Sequence, residues 1–371
     1  MKLREEERRF CSIIGRAMAE SLLKKSRFES ISPSLMIFRL FAIHLLLRAG
    51  NVSVNISAMK KTSGILCIMN GHASKGQAAR KTDRIKKAFA DRKQDIDLVM
   101  TGQHRQAILL ARQGAEAGYE IIIAAGGDGT VNEVANGIML SGRKVSFGIL
   151  PIGRGNDFAY SAGIPSDIDR AVDLILTTAA RPIDVGLLYG GNALDGRYFL
   201  NGAGFGFEPE VNFRASSYRN VNGFASYLLA FFHCFCFIPK PYDMSMTVDG
   251  EEILLKTQQI SVCNGRRMGA AFIMGPDAVI NDGKLDVVYA NRPLKRLGIT
   301  AIALRFFSGT QLKNSVMSMK RAEKSVILRT TRPEMKIHVD GEEISRDSDY
   351  CRVEMIENGL RLFCAPGIAV K

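Results

Sequence analysis

Gly126-Gly127-Asp128-Gly129-Thr130 directly follows the apolar run IIIAA and precedes a stretch whose Val131, Val134, Ala135 and Ile138 fall on one helical face. A strand–helix junction of this composition suits a phosphate group. Glycines let backbone N–H groups approach phosphate oxygens, and a helix N-terminus adds partial positive charge. Thr130 offers a hydroxyl, and Asp128 can orient a metal or a hydroxyl. Glycines also make ordinary tight turns, but three of them around an aspartate at such a junction favour the phosphate loop. Neither GxGxxG nor the lysine-bearing P-loop pattern is present, which argues against standard dinucleotide and P-loop sites. A second loop, Asn70-Gly71-His72-Ala73-Ser74-Lys75-Gly76, has GxxxxG spacing without the completing Lys-Ser/Thr. A third, Pro151-Ile152-Gly153-Arg154-Gly155-Asn156-Asp157-Phe158-Ala159, closes another apolar run. Three glycine-bearing loops on one edge of a parallel sheet make a nucleotide cleft. Val-Asp-Gly-Glu-Glu occurs twice, at 248–252 and 339–343, and both copies read as Asp-Gly hairpin turns.

The elements that must carry these loops are visible in the hydrophobic pattern. From Gly64 to about Gly153, GILCIMN, IDLVM, YEIIIAAG and VSFGILPIG alternate with helical stretches at about 76–91, 103–117 and 131–140. Strands that read as continuous Ile/Leu/Val, separated by helices, predict a doubly wound parallel sheet covered on both faces. Beyond about Arg181 short segments separated by Gly and Asp-Gly turns predict an antiparallel β-sandwich, interrupted by one helix at about 293–308. The chain of 371 residues is long enough for two cores.

The net charge of +13 points to a polyanionic partner: nucleotide phosphates, nucleic acid or an anionic membrane. Scattered basic pairs, no Trp and no RNA-recognition signature set nucleic acid aside. Seven cysteines form no CxxC or zinc spacing, which predicts a reduced, cytoplasmic protein. Residues 1–58 differ in character, with a charged start and an interrupted apolar stretch from Leu35 to Leu47 that is too short to span a membrane. They read as an amphipathic anchor, an add-on, or a mis-assigned start ahead of Met59.

GGDGTVNEVANGI, the following PIGRGNDFA and NGAGFGFE at 201–208 together resemble the diacylglycerol kinase and sphingosine kinase superfamily, in particular its soluble bacterial lipid kinases. The likeness runs from about Gly64 to the C-terminus. It implies an ATP- and Mg²⁺-dependent lipid kinase, with a catalytic domain at 59–185, a β-rich lipid and metal domain at 186–350, and a return to the first domain at 351–371. It places ATP on Asn70, Gly71, Ser74 and Thr101, on Gly126, Gly127, Asp128, Gly129, Thr130, Val131 and Asn132, and at Arg154. The family usually has Thr at that last position; an arginine there can pair with phosphates, shift the donor preference or mark a changed acceptor. The resemblance assigns Mg²⁺ to the Asp282 carboxylate with the carbonyls of Val279 and Lys284, and the acceptor proton to Glu342, with Asp340 as second choice. It implies a lipid acceptor at a membrane surface, peripheral attachment, no nucleic acid, and it allows a homodimer. Phe205, Phe207 and the run FFHCFCFI at 231–238 are candidates for holding an acyl chain. The rival readings are a soluble-substrate kinase of the NAD kinase type and an inactive lipid- or nucleotide-binding relative.

Overall fold

In the computed structural model the described residues are 56, 61–71, 78–218, 229–230, 233, 240–332 and 334–365. Ser74, the extension 1–58 apart from Ile56, and the run 231–238 apart from His233 lie outside them. The four apolar runs form β1 (Ile65–Asn70), β2 (Asp97–Thr101), β3 (Ile121–Gly126) and β4 (Ser146–Pro151), parallel and in the order β2-β1-β3-β4. Leu66, Ile68, Ile122, Ala124, Phe147 and Leu150 are fully buried, as strands covered on both faces require. The connecting helices are α1 (Ala78–Ala90), α2 (Gln106–Glu116) and α3 (Asp128–Ser141). Because β2 and β3 flank β1 on opposite sides, the chain reverses direction across the sheet there, which opens a crevice at the carboxyl ends of β1 and β3. Helix α3 starts at Asp128, three residues before the apolar stripe announces it, because Asp128, Gly129 and Thr130 carry no large apolar side chain. Gly126 is thus the last residue of β3, Asp128-Gly129-Thr130 is helix, and only Gly127 lies between them.

After α4 (Asp157–Ser161) and α5 (Ile168–Thr177), the chain enters β5 (Arg181–Gly190), β6 (Ala193–Phe199) and β7 (Gly202–Gly206). It continues through α6 (Phe207–Ser217), β8 (Tyr242–Val248), β9 (Glu251–Thr257), β10 (Gln259–Cys263) and the short hairpin β11 (Arg267–Met268) and β12 (Phe272–Ile273). There follow β13 (Leu285–Ala290), α7 (Arg296–Ser308), β14 (Met317–Ala322), β15 (Ser325–Thr330), β16 (Met335–Val339), β17 (Glu342–Ser348) and β18 (Tyr350–Leu362). One antiparallel sheet has the order β14-β13-β10-β7-β16-β17. Its Phe205, Ile260, Val287 and Ile337 pack with Met246, Val326, Leu328 and Val353 of β8, β15 and β18, and this is the sandwich core. Helix α6 corrects the expectation of a single helix in this half. Its start is set by Gly206 at φ 90°, by Glu208 and Glu210 in the first turn, and by Pro209, a residue helices accept there.

The long strand β18 joins the two halves. Along one edge it pairs antiparallel with β5; along the other, residues 350–354 pair with β15, and Arg361 and Leu362 pair parallel with β4. One layer of the sandwich, with β8, β9 and β15, therefore shares a ten-stranded sheet with the parallel strands. An irregularity between Ile356 and Leu360, with Asn358 at φ 54°, bends β18 where it changes partners. Asp184 of β5 holds that bend: its carboxylate accepts from Asn358 N at 3.0 Å and from Gly283 N at 2.8 Å, and its own N–H donates to Ile280 O. The described cysteines, Cys67, Cys263, Cys351 and Cys364, are buried and free, and burial pushes the Cys67 thiol up to about 12. No helix among the described residues is long and apolar enough to cross a membrane. Asp184→Ala leaves two backbone N–H groups without acceptors and is expected to cost about 1–3 kcal/mol, read as a lower urea midpoint at unchanged m-value.

Candidate active site

The glycine-bearing loops are knitted together by hydrogen bonds. Gly71 N donates to Thr101 O, the Asn70 amide reaches Thr130 Oγ1 at 3.3 Å, and Ile152 N and Gly153 N both donate to Gly126 O. A Cβ on Gly153 would lie 2.2 Å from Gly127 Cα, so two glycines are needed for these backbones to cross. Thr130 folds back over Gly126, where a Cβ would lie 2.4 Å from its hydroxyl oxygen. A Cβ on Gly129, by contrast, would meet nothing within 4 Å, so space is kept open over the start of α3. Asn156, at φ 52°, closes the third loop by accepting from Gly153 N and donating to Pro151 O and Gly153 O. That leaves Arg154 exposed at the tip. The Asp128 carboxylate accepts from Asp157 N at 2.6 Å and Phe158 N at 3.2 Å, fastening the first loop to the third. Arg267 in turn holds Asp157 at 2.7 Å.

A cavity of about 180 Å³ opens beside these loops. Its polar lining includes Asp128, Asp157, Asn201, Glu208, His338 and Asp340, and its apolar lining includes Met268, Phe272, Leu294, Ile299, Ile302 and Phe306. Phe207 lines it too, but Phe205 belongs to the sandwich core, its side chain packed between the sheets. At the wall between the halves, Asp340 Oδ1 accepts from Asn201 N and Gly202 N, and Oδ2 from Leu200 N and the Asn132 amide, all at 2.8–3.0 Å. Asn132, expected against the nucleotide, is buried and spends its side chain on Asp340, Tyr198 O and Arg197. Val131 is buried as well. Arg197 Nη2 also pairs with Glu342 Oε2 at 2.8 Å. Glu342 lies outside the cavity lining, and a ligating atom of it falls within 4.8 Å of those of His104 and Glu133.

The segment expected to hold Mg²⁺ lies in the β12–β13 connection, and none of Val279, Asp282 and Lys284 lines the cavity. Asp282 is exposed, and its Oδ1 accepts from Lys284 N at 3.1 Å. Next to it, two buried oxygens, Asn281 Oδ1 and Asp286 Oδ2, have no hydrogen-bond partner among the described residues. Burial and neighbouring carboxylates, Asp282 among them, push Asp184 and Asp286 upward, although hydrogen-bonding partners oppose this. Unmatched oxygens beside acidic groups fit a hard divalent cation.

The diacylglycerol kinase catalytic domain family matches residues 64–188, and the YegS C-terminal NAD kinase beta sandwich-like domain family matches 202–363. A diacylglycerol kinase of Staphylococcus haemolyticus is 31% identical over 248 residues, which cover 65% of this chain and 71% of that protein. The chain belongs to the diacylglycerol kinase family. A probable YegS-like lipid kinase of Pseudomonas aeruginosa is 32% identical over 222 residues, 58% of this chain and 70% of its own length. The crystal structure of a diacylglycerol kinase from Bacillus anthracis shares the fold, with a TM-score of 0.62 at 22% identity over 84% of this chain and 100% of that one.

In this diacylglycerol kinase family member, the paired Glu208 and His338 are site residues that the sequence did not reveal. Glu208 Oε1 lies 3.1 Å from His338 Nε2, and its Oε2 accepts from Ser261 and Gln259. Burial acts upward on Glu208, but His338 and these donors outweigh it and hold the carboxyl low. Gly204 makes room for the pair, since a Cβ there would lie 2.4 Å from His338 Nε2. The available signal was a glutamate ending the NGAGFGFE run and a histidine between the apolar Ile337 and Val339 of β16.

Asp128 is poised differently: desolvation, then the charges of Asp157 and Asp340, push it up to about 6, against two backbone N–H bonds. Between the ordinary value of 3.8 and about 6 the folded chain binds the proton more tightly than the unfolded one. Stability therefore falls as pH rises through that window and stays reduced above it. Asp128→Asn removes the buried charge and keeps an acceptor oxygen. It is expected to stabilise by roughly 1–3 kcal/mol at pH 7, a gain that shrinks toward pH 4 when thermal unfolding is followed at both pH values.

Proposed function

We propose that this protein transfers the γ-phosphoryl group of ATP to the hydroxyl of an acyl lipid such as diacylglycerol, giving phosphatidic acid or an analogous phospholipid. The observation that carries this reading is the cavity, which combines the carboxylates of Asp128, Asp157, Glu208 and Asp340 with an apolar lining that includes Phe272, Leu294, Ile302 and Phe306. A lipid laid in it puts its acyl portion against Phe272, Leu294, Ile302 and Phe306 and its hydroxyl toward the nucleotide.

ATP phosphates fit the open start of α3, where Gly129 keeps side-chain volume away from free helical N–H groups. Arg154 at the loop tip can close on them with a planar fork suited to phosphate. Phosphoryl transfer leaves a protein chiefly positioning and charge stabilisation to supply. For a hydroxyl that projects past Asp340, beyond the cavity lining, the acceptor O–H proton passes to Glu342 as the new O–P bond forms and the bond from the γ-phosphorus to the β–γ bridging oxygen breaks, releasing ADP. Arg197 fixes the orientation of the Glu342 carboxylate. Asp340 is less suited to take the proton, because four N–H donors already occupy its four lone-pair positions. It organises the wall against which the acceptor rests. Asp282, Asn281 and the carbonyls of Val279 and Lys284 would hold a Mg²⁺ ion remote from transfer, where it neutralises the acidic loop. The Mg²⁺ that accompanies ATP supplies charge neutralisation at the phosphates when bound.

The test is transfer of a radiolabelled γ-phosphate to a panel of lipids in mixed micelles with Mg²⁺. Wild type is expected to label an acyl lipid and Asp128→Ala to label none, while Glu342→Gln falls roughly 10²–10⁴-fold in kcat. Asp249→Ala, in the other Val-Asp-Gly-Glu-Glu copy, is expected to keep full transfer. A fully active Glu342→Gln would remove Glu342 as the proton acceptor, and labelling of soluble acceptors alone would remove the lipid.

A further inference from the structure

Helix α7 is apolar on two sides. Ile299, Ile302 and Phe306 face inward and wall the lipid cavity. On the outer side Ala301 is exposed and Leu304 is 65% exposed, although a helix apolar all round is ordinarily buried. The charge around it is one-sided. From Asn291 to Lys313 there are five basic residues, Arg292, Lys295, Arg296, Arg305 and Lys313, and no acidic one. Arg292 and Lys295 are exposed and flank Leu294, which lines the cavity. The buried Gln258 side chain accepts from Leu294 N at 2.8 Å and anchors the start of the helix to the sandwich.

An exposed apolar side bordered by the cations Arg292 and Lys295, on a segment that carries no acidic residue, matches one surface chemistry, that of a bilayer rich in anionic headgroups. We infer that α7 is the membrane-docking element. Ala301 and Leu304 sit among the headgroups and upper acyl chains, and Arg292 and Lys295 lie against lipid phosphates. One helix then has the bilayer on its outer side and the acceptor cavity on its inner side, so an acyl lipid moves from one to the other without its chains crossing bulk water. This inference rests on the lipid-acceptor reading for its purpose, but its test does not.

Full-length protein is floated with phosphatidylcholine vesicles and with vesicles that also contain phosphatidylglycerol. Wild type is expected to bind the anionic vesicles and to be released by salt. The double variant Arg292→Glu/Lys295→Glu should lose roughly tenfold or more in partitioning, and Leu304→Glu should lose a similar amount. Both should label the acceptor in detergent micelles at the wild-type rate, since none of the three residues lines the cavity. Wild-type partitioning by both variants would overturn the proposal. So would a change in sedimentation velocity for Leu304→Glu with vesicle binding intact, which would make the stripe a contact between copies of this chain. If no lipid is labelled by wild type while vesicle binding still depends on these residues, docking stands and the lipid-kinase reading falls.

Discussion

The Asp340 carboxylate holds the catalytic halves in register. Four N–H donors converge on it, three from the consecutive residues Leu200, Asn201 and Gly202 where β6 passes into β7, and one from Asn132 on α3. Hydrogen bonds to a charged group contribute about 1.5–3 kcal/mol each, which offsets the cost of burying the charge. Burial still prevails on the proton, pushing Asp340 above the usual carboxylate range despite those donors. Its backbone N–H donates to Gly202 O, so the β16–β17 turn is gripped from both sides. Glu342 begins the next strand, and its position, its Arg197 partner and the Asn132 side chain all follow from that grip.

The Asp249 copy of this turn shows what context adds. It also has a positive φ, and its carboxylate accepts from Glu323 N, Lys324 N and Ser325 N. Burial acts upward there too, but the backbone donors outweigh it and Asp249 is held low. One local motif thus makes a solvent-facing clasp at the edge of the sandwich and a buried organiser at the cavity. The same contrast runs through the molecule: the chain carries an excess of 13 positive charges, while Asp128, Asp157, Glu208 and Asp340 gather in the cavity's polar lining.

Most of the parallel sheet was legible because its strands are uninterrupted apolar runs, and the glycine loops were legible because phosphate geometry restricts which residues can stand there. The start of α3 at Asp128 was not, since a polar first turn carries no periodic signal. Strand β10 and helix α6 were missed for a related reason: QISVC is short, and FEPEVNF mixes polar and apolar residues whose arrangement is decided by packing on β7 and β16. The roles of Asn132, Asp184, Glu208 and His338 depend on contacts between residues distant along the chain. Local pattern cannot show that an asparagine following a phosphate loop turns its amide to the other half of the molecule.

The position of β18 bears on how the chain folds. The last long strand of the sequence fills the gap between β4 and β15 and pairs with β5 over its length. During synthesis, β1 to β4 can assemble early, but the edge of β4 and the edges of β5 and β15 stay open until residues 350–362 leave the ribosome. Such late, long-range pairing slows folding and leaves strand edges exposed in the interim. The chain is therefore expected to join its two halves only once β18 is in place, with those strand edges exposed until then.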